Sequence, residues 1–197
     1  MNFLAHLYLS GPAGDILTGN FIADSVRAVT EQEFSTGIRK GIALHRHIDS
    51  FTDHHPIVLQ SKERLRSRYH KYAPVITDVF YDHFLASHWA TYYPASDLET
   101  YAREIYAFLG TQVTLFPTRS RQFYEYMVRT NALCRYAEIE GVSRVMQGMS
   151  RRARFRSGME TCTEELRLYY PQFEEEFRVF FPELIASCQK LMQLTTN

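Results

Sequence analysis

The sequence predicts an all-α protein, a single domain over residues 1–197. It reads as a bundle of about seven to nine helices, with residues 183–197 forming a C-terminal helical arm. Three observations carry this. Apolar residues recur at spacings of three and four, strict alternation over strand length is hard to find, and glycines and prolines fall where helix ends are needed. A chain of 197 residues can bury a substantial core in one domain, and no repeat, low-complexity tract or linker divides it.

Taken in order, the opening "MNFLAHLYLS" is apolar and closes at Gly11-Pro12. It is short, lacks a cationic lead and is interrupted by His6, so it fits neither a signal peptide nor a membrane anchor. Ile38, Ile42 and Ile48 mark a helix that runs towards Pro56. There "TDHHP" reads as a helix end and a new start, with Asp53 a candidate cap. Val75, Val79 and Leu85 mark a helix beginning near Pro74, and Pro94 separates it from the series Tyr101, Ile105 and Phe108. That helix closes near Gly110, and Pro117 opens the next. After Gly158 the series Leu166, Tyr170, Phe173 and Phe177 marks a long helix. Phe181-Pro182 is expected to kink or break it, leaving the terminal arm.

Lys plus Arg and Asp plus Glu both total 22, for a formal net charge of zero. This removes the overall basic field that nucleic-acid binders carry, so no nucleic-acid partner is expected and any charged partner must meet a local patch. The three cysteines, Cys134, Cys162 and Cys188, are far apart with no C-x-x-C spacing, and read as reduced core thiols. No later segment approaches about eighteen apolar residues; no membrane partner and a cytoplasmic location are expected. No G-x-S-x-G, P-loop or dinucleotide fingerprint occurs.

The polar residues are more specific. "GIALHRHIDSFTDHHP" is rich in histidine and aspartate, and His45 and Asp49 lie four apart, on one helix face. Asp78 and Asp82 repeat the spacing in "VITDVFYDHFL", and Asn20 and Asp24 repeat it in "GNFIAD". Each pair has an ordinary reading. His45 and Asp49 can form an intrahelical hydrogen bond, and Asn20 and Asp24 can cap a helix end. Asp78 and Asp82 are harder to dismiss, because two stacked carboxylates among apolar neighbours repel each other unless a cation lies between them. Three such pairs with an imidazole suit a divalent ion such as Mn²⁺ or Mg²⁺. His6 reads equally as a core histidine or a ligand, and His83 points about 100° around its helix from Asp82. His47, His54, His55 and His88 read as structural or solvated.

In order and spacing, "MNFLAHLYLS", "GNFIADSVR", "GIALHRHIDSFTDHHP" and "DVFYDHFLASHW" resemble the acyl carrier protein phosphodiesterases. The resemblance spans at least residues 1–90 and continues more loosely through "MQGMSRRARFRSG". Members of that family are similar to a divergent branch of the HD-domain metallohydrolases, so the resemblance implies an all-helical, HD-domain-like fold holding one or two divalent metals. Two departures stand out. The adjacent His-Asp doublet of HD enzymes is absent, replaced by His45 and Asp49 a turn apart and the reversed doublet Asp82-His83; Tyr8 stands where the family often has a second histidine.

The resemblance implies hydrolysis of the phosphodiester that joins 4'-phosphopantetheine to a serine of holo acyl carrier protein. Asp24, His45, Asp49, Asp78 and Asp82 are the expected metal ligands, with Mn²⁺ ahead of Mg²⁺. Asp24, His45, Asp49 and Asp82 carry the chemistry, with His83 a ligand or proton donor. Acyl carrier proteins are acidic, so Arg151, Arg152, Arg154 and Arg156 in "SRRARFRSG" are expected to dock the carrier, while Arg27 can meet the phosphate. A second basic stretch, Lys62, Arg64, Arg66, Arg68 and Lys71, reads more readily as a solvated face. Two other functions fit the same residues: an HD-type phosphohydrolase acting on a nucleotide or other small phosphodiester, and a metal-free helical binding module.

Overall fold

The computed structural model describes residues 1–28 and 30–194. Among these there is no strand. The first half of the chain contains α1 (Phe3–Leu9), α2 (Asp15–Ile22), α3 (Thr36–His54), α4 (Pro56–Tyr69), α5 (Ala73–Ser87) and α6 (Trp89–Tyr92). The second half contains α7 (Leu98–Thr111), α8 (Thr118–Thr130), α9 (Ala132–Arg135), α10 (Ile139–Arg152), α11 (Thr163–Leu168) and α12 (Tyr170–Leu194). The all-α expectation holds. The helices outnumber the expected seven to nine because several, such as α6 and α9, are single turns of four residues.

Most of the breakers act where the sequence placed them. Gly11, at φ +72°, turns the chain after α1, Pro56 and Pro74 sit in the first turns of α4 and α5, and Pro117 immediately precedes α8. Pro182 differs, because α12 passes through it without ending. Phe173, Phe177, Phe180 and Phe181 before it, and Leu184 and Cys188 after it, are all buried. A proline in a helix interior costs about 3 kcal/mol, and continuous burial along one face offsets that cost. Residues 183–194 are therefore the end of a packed helix. Residues 195–197, the remainder of the expected arm, lie outside the described residues.

The core is aromatic. Phe80 meets Phe173 at a ring distance of 5.3 Å, Tyr81 meets Phe177 at 5.6 Å, and Phe84 stacks on Phe177 at 5.9 Å. These contacts fasten α12 along α5. Most of the second basic stretch is neutralised by ion pairs, within α4 and to its neighbours α3, α11 and α12: Arg66 pairs with Glu63, the buried Lys62 with Asp53, Arg68 with Glu164 and Glu165, and Arg64 with Glu176. Asp53 lies within α3 and so does not cap α4, whose first turn follows His55 with no side-chain cap.

Two contacts set the position of the polar cluster. Helices α2 and α3 touch backbone to backbone: a methyl group on Gly19 would lie 2.0 Å from the Ile38 carbonyl oxygen, and one on Gly41 would lie 2.1 Å from that of Ile16. Only glycine permits this approach, and it brings Asn20 beside His45. At α1, Asn2 caps the first turn, and the fully buried Asp82 of α5 accepts from the amides of Leu4 at 2.7 Å and Ala5 at 3.2 Å. First-turn amides have no partner inside their own helix, so this carboxylate fixes α1, and with it His6, against α5.

Candidate metal centre

The cluster lines a cavity of about 280 Å³ whose walls include His6, Asp24, His45, Asp49, Asp78 and Phe3. Asn20 organises it from behind. Its Nδ2 donates to the His6 carbonyl and to Ser10 Oγ, both at 2.9 Å, which fixes Oδ1 as the acceptor. That oxygen lies 2.9 Å from His6 Nδ1 and 3.0 Å from His45 Nδ1. Both imidazoles therefore carry hydrogen on Nδ1, and their rings stack with centroids 4.1 Å apart. Both Nε2 atoms then face carboxylates. His6 Nε2 is 3.1 Å from Asp49 Oδ1, and His45 Nε2 is 3.2 Å from Asp49 Oδ2 and 3.3 Å from Asp24 Oδ1.

Lone pairs meeting carboxylate oxygens at such distances require a proton or a cation between them. Burial lowers the pKa of His45, but its hydrogen bonds and charge interactions with Asp24 and Asp49 outweigh this and raise it to about 9. For His6, burial outweighs the help from Asp49 and the pKa falls. Burial would raise Asp49, yet the two histidines hold it well below the usual carboxylate range, and the hydrogen bond from His45 lowers Asp24. One histidine is thus protonated at neutral pH and the other is not, which leaves the contact between His6 and Asp49 without a bridging hydrogen. A divalent ion relieves that contact. The candidate donor atoms of His6, His45 and Asp49 all lie within 4.8 Å of one another, and nitrogen–oxygen separations near 3 Å suit octahedral cis ligands with bonds of about 2.1 Å. The donors fit a divalent metal.

Of the sequence-predicted residues, the structure brings together Asp24, His45, Asp49 and Asp78. Asp78 contributes a buried Oδ1 that is ion-paired with the amino nitrogen of Met1 at 3.2 Å. Asp82 and His83 lie elsewhere. The positive charge expected between Asp78 and Asp82 is met, at Asp82, by the partially positive amide end of α1. Buried His83 bonds through Nδ1 to the Tyr136 carbonyl at 2.7 Å and through Nε2 to the Tyr170 hydroxyl at 3.1 Å. Arg27 is exposed on the segment after Asp24. The four arginines of "SRRARFRSG" divide: Arg151 and Arg152 line one cavity with Arg135 and Arg144, and Arg156 lines another with Lys71 and Arg68, while Arg154 lies over the Phe155 ring.

Sequence reasoning left His6 open and gave Asn20 no part in orienting the rings. Their one local signal was the four-residue spacing of Asn20 and Asp24; the contacts themselves span 14 and 25 residues. Asn20→Ala is expected to weaken Mn²⁺ binding by roughly 10–100-fold, because the His6 ring loses its anchor and the His45 ring keeps only the Asn20 backbone carbonyl, 3.0 Å from its Nδ1, and a manganese titration followed by electron paramagnetic resonance reads this directly. Unchanged affinity would show that Asn20 does not set the tautomers.

The comparisons with known proteins agree with one another. The family described as acyl carrier protein phosphodiesterase matches residues 1–184. The chain is 31% identical over 189 residues to the acyl carrier protein phosphodiesterase of Photorhabdus laumondii, covering 96% of both chains. It is 34% identical over 189 residues to that of Enterobacter sp. (strain 638), and 33% identical over 196 residues to that of Escherichia coli K12; each match covers 96% of this chain and 98% of the relative. No solved structure matches. A match over nearly the whole chain, to a family description and to relatives that share one name, shows that the chain belongs to the acyl carrier protein phosphodiesterase family.

Proposed function

We propose that this chain is a metal-dependent phosphodiesterase that removes 4'-phosphopantetheine from holo acyl carrier protein to give the apo form, using Mn²⁺ in preference to Mg²⁺. The observation that carries the reading is the convergence of two imidazole Nε2 atoms on the carboxylates of Asp24 and Asp49, with both Nδ1 atoms committed to Asn20. Family membership supports the substrate, since the relatives are named for acyl carrier protein.

His6, His45, Asp24 and Asp49 would hold the ion. Bound there, a divalent metal would neutralise the nonbridging phosphate oxygens and lower the pKa of water. The chain's own residues do the rest. Asn20 keeps both rings presenting Nε2 to the cavity. Asp78, which lines the same cavity, is assigned to accept a proton from the attacking water. Phe3 narrows the cavity on its apolar side. Exposed Arg27 is assigned to the phosphate.

The direct test is to incubate the protein with holo acyl carrier protein and Mn²⁺ and to weigh the carrier by mass spectrometry. Loss of the phosphopantetheine arm is expected, with no loss after EDTA. Activity on free nucleotides without activity on the carrier would replace this reading with the small-phosphodiester one. Metal binding should also be coupled to pH. The cation competes with the proton on His45, whose pKa is raised to about 9. The apparent Kd for Mn²⁺ should therefore fall about tenfold per unit as pH rises between about 7 and 8.5. A pH-independent Kd across that range would remove His45 from the ligand set.

A further inference from the structure

Away from the metal centre, a second concave region is lined by four arginines and no carboxylate. Arg144, Gln147, Gly148 and Arg151 form one stripe of α10 at spacings of three and four, with Arg152 beside it. Tyr126 of α8 and Arg135 of α9 form the opposite wall, enclosing about 420 Å³. The floor of the stripe is open, since a methyl group on Gly148 would meet only Arg152 Nη1, at 3.8 Å. Among the described residues none of the four guanidinium groups pairs with a carboxylate; the arginines that do are Arg46, Arg64, Arg66, Arg68 and Arg167. In a chain of zero formal net charge, four uncompensated arginines around one hollow are a local excess. An anionic partner seated there would neutralise that excess.

The basin also lies beside the metal cavity. Phe3, which lines that cavity, stacks on Phe123 at 4.0 Å, and Phe123 lies 6.3 Å from Tyr126, whose ring carries Arg152 at 5.9 Å. Asn2, on the cavity wall, donates to the Tyr136 hydroxyl next in sequence to Arg135. A protein whose phosphorylated serine enters the cavity must lay its neighbouring surface over this region. A free small phosphodiester would not extend this far.

We propose that Arg135, Arg144, Arg151 and Arg152 are the docking surface for the acidic face of the carrier protein. The assignment rests on the function proposed above. It differs from the sequence expectation by adding Arg135 and Arg144, which come from other turns and another helix, and by setting aside Arg154 and Arg156, which do not line this basin. Charges at such a rim act mainly on encounter and are screened by salt.

The test compares Arg135→Glu/Arg144→Glu with Arg154→Glu/Arg156→Glu and the unaltered protein, on holo carrier protein and on bis(p-nitrophenyl) phosphate, across a range of NaCl concentrations. The first pair should lower kcat/KM on the carrier at least tenfold more than on the small substrate, mainly through KM, and should flatten its dependence on salt. The second pair should change carrier KM less than about threefold. Thermal denaturation checks the fold, and Arg135→Gln/Arg144→Gln, which keeps side-chain size, should give a smaller change of the same kind. Wild-type KM and salt slope in both basin variants, with the unaltered protein active on the carrier, would overturn the docking assignment alone. An equal loss on both substrates would overturn it too, placing the basin at the phosphate. Inactivity of the unaltered protein on the carrier would defeat the functional reading, and the docking surface with it.

Discussion

Asp49→Ala should abolish carrier-protein hydrolysis, with a loss in kcat/KM of roughly 10³-fold or more, and should remove stoichiometric Mn²⁺ binding. Asp49 is the carboxylate that both histidines face, one through each oxygen. No neighbour can replace it, because Asp24 reaches only His45. The fold should survive. Asp49 is partly exposed in the interior of α3, where alanine is the residue best tolerated by a helix, so helical circular dichroism should be retained and Tm should shift by only a few degrees. Full turnover with bound manganese in this variant would remove the metal centre as described.

Asp82→Ala should behave differently, losing stability of about 3 kcal/mol and lowering Tm by roughly 6–12 °C. The residue is fully buried, and its carboxylate is the acceptor for the Leu4 and Ala5 amides. Alanine would leave both unpaired in the interior. Activity falls as a consequence, because α1 carries His6; Asp24→Ala, on an exposed carboxylate, should lose activity without this cost. Asp82→Asn keeps one acceptor and should lose less stability.

The asparagine variant also exposes a pH effect. Burial raises the pKa of Asp82 to about 7, against the opposing pull of the two amides. A carboxyl group raised in the folded state holds its proton there after the unfolded chain has lost it. Its contribution to stability is therefore full below about pH 4 and lost as pH rises through about 7. Urea unfolding from acidic to mildly alkaline pH should show the wild type losing stability relative to Asp82→Asn. Parallel curves would mean that Asp82 is ionised throughout, and equal stability of Asp82→Ala and wild type would show that α1 is anchored by other contacts.

Much of this protein is determined locally and so was legible in its sequence. The all-α class follows from apolar spacing and from breakers such as Gly11, Pro56 and Pro117, which act through the φ angles and hydrogen bonds of their own residues. The pairing of His45 with Asp49 follows from one helical turn, and Asp24 and the family motifs could be read beside it. Tertiary structure decided the rest. Asp78 and Asp82 share one stripe of α5, and periodicity cannot tell which of them faces a cavity and which meets the amide end of another helix; the docking of α1 settles it. His6 joins the centre because the close glycine contact of α2 with α3 delivers Asn20 between two rings from different helices. Pro182 stays helical because burial on both sides of it outweighs its own preference. Arg135 joins the α10 arginines Arg144, Arg151 and Arg152 only when α9 packs on α10. In each case the deciding energy lies in contacts between residues distant along the chain, and local spacing carries no information about those contacts.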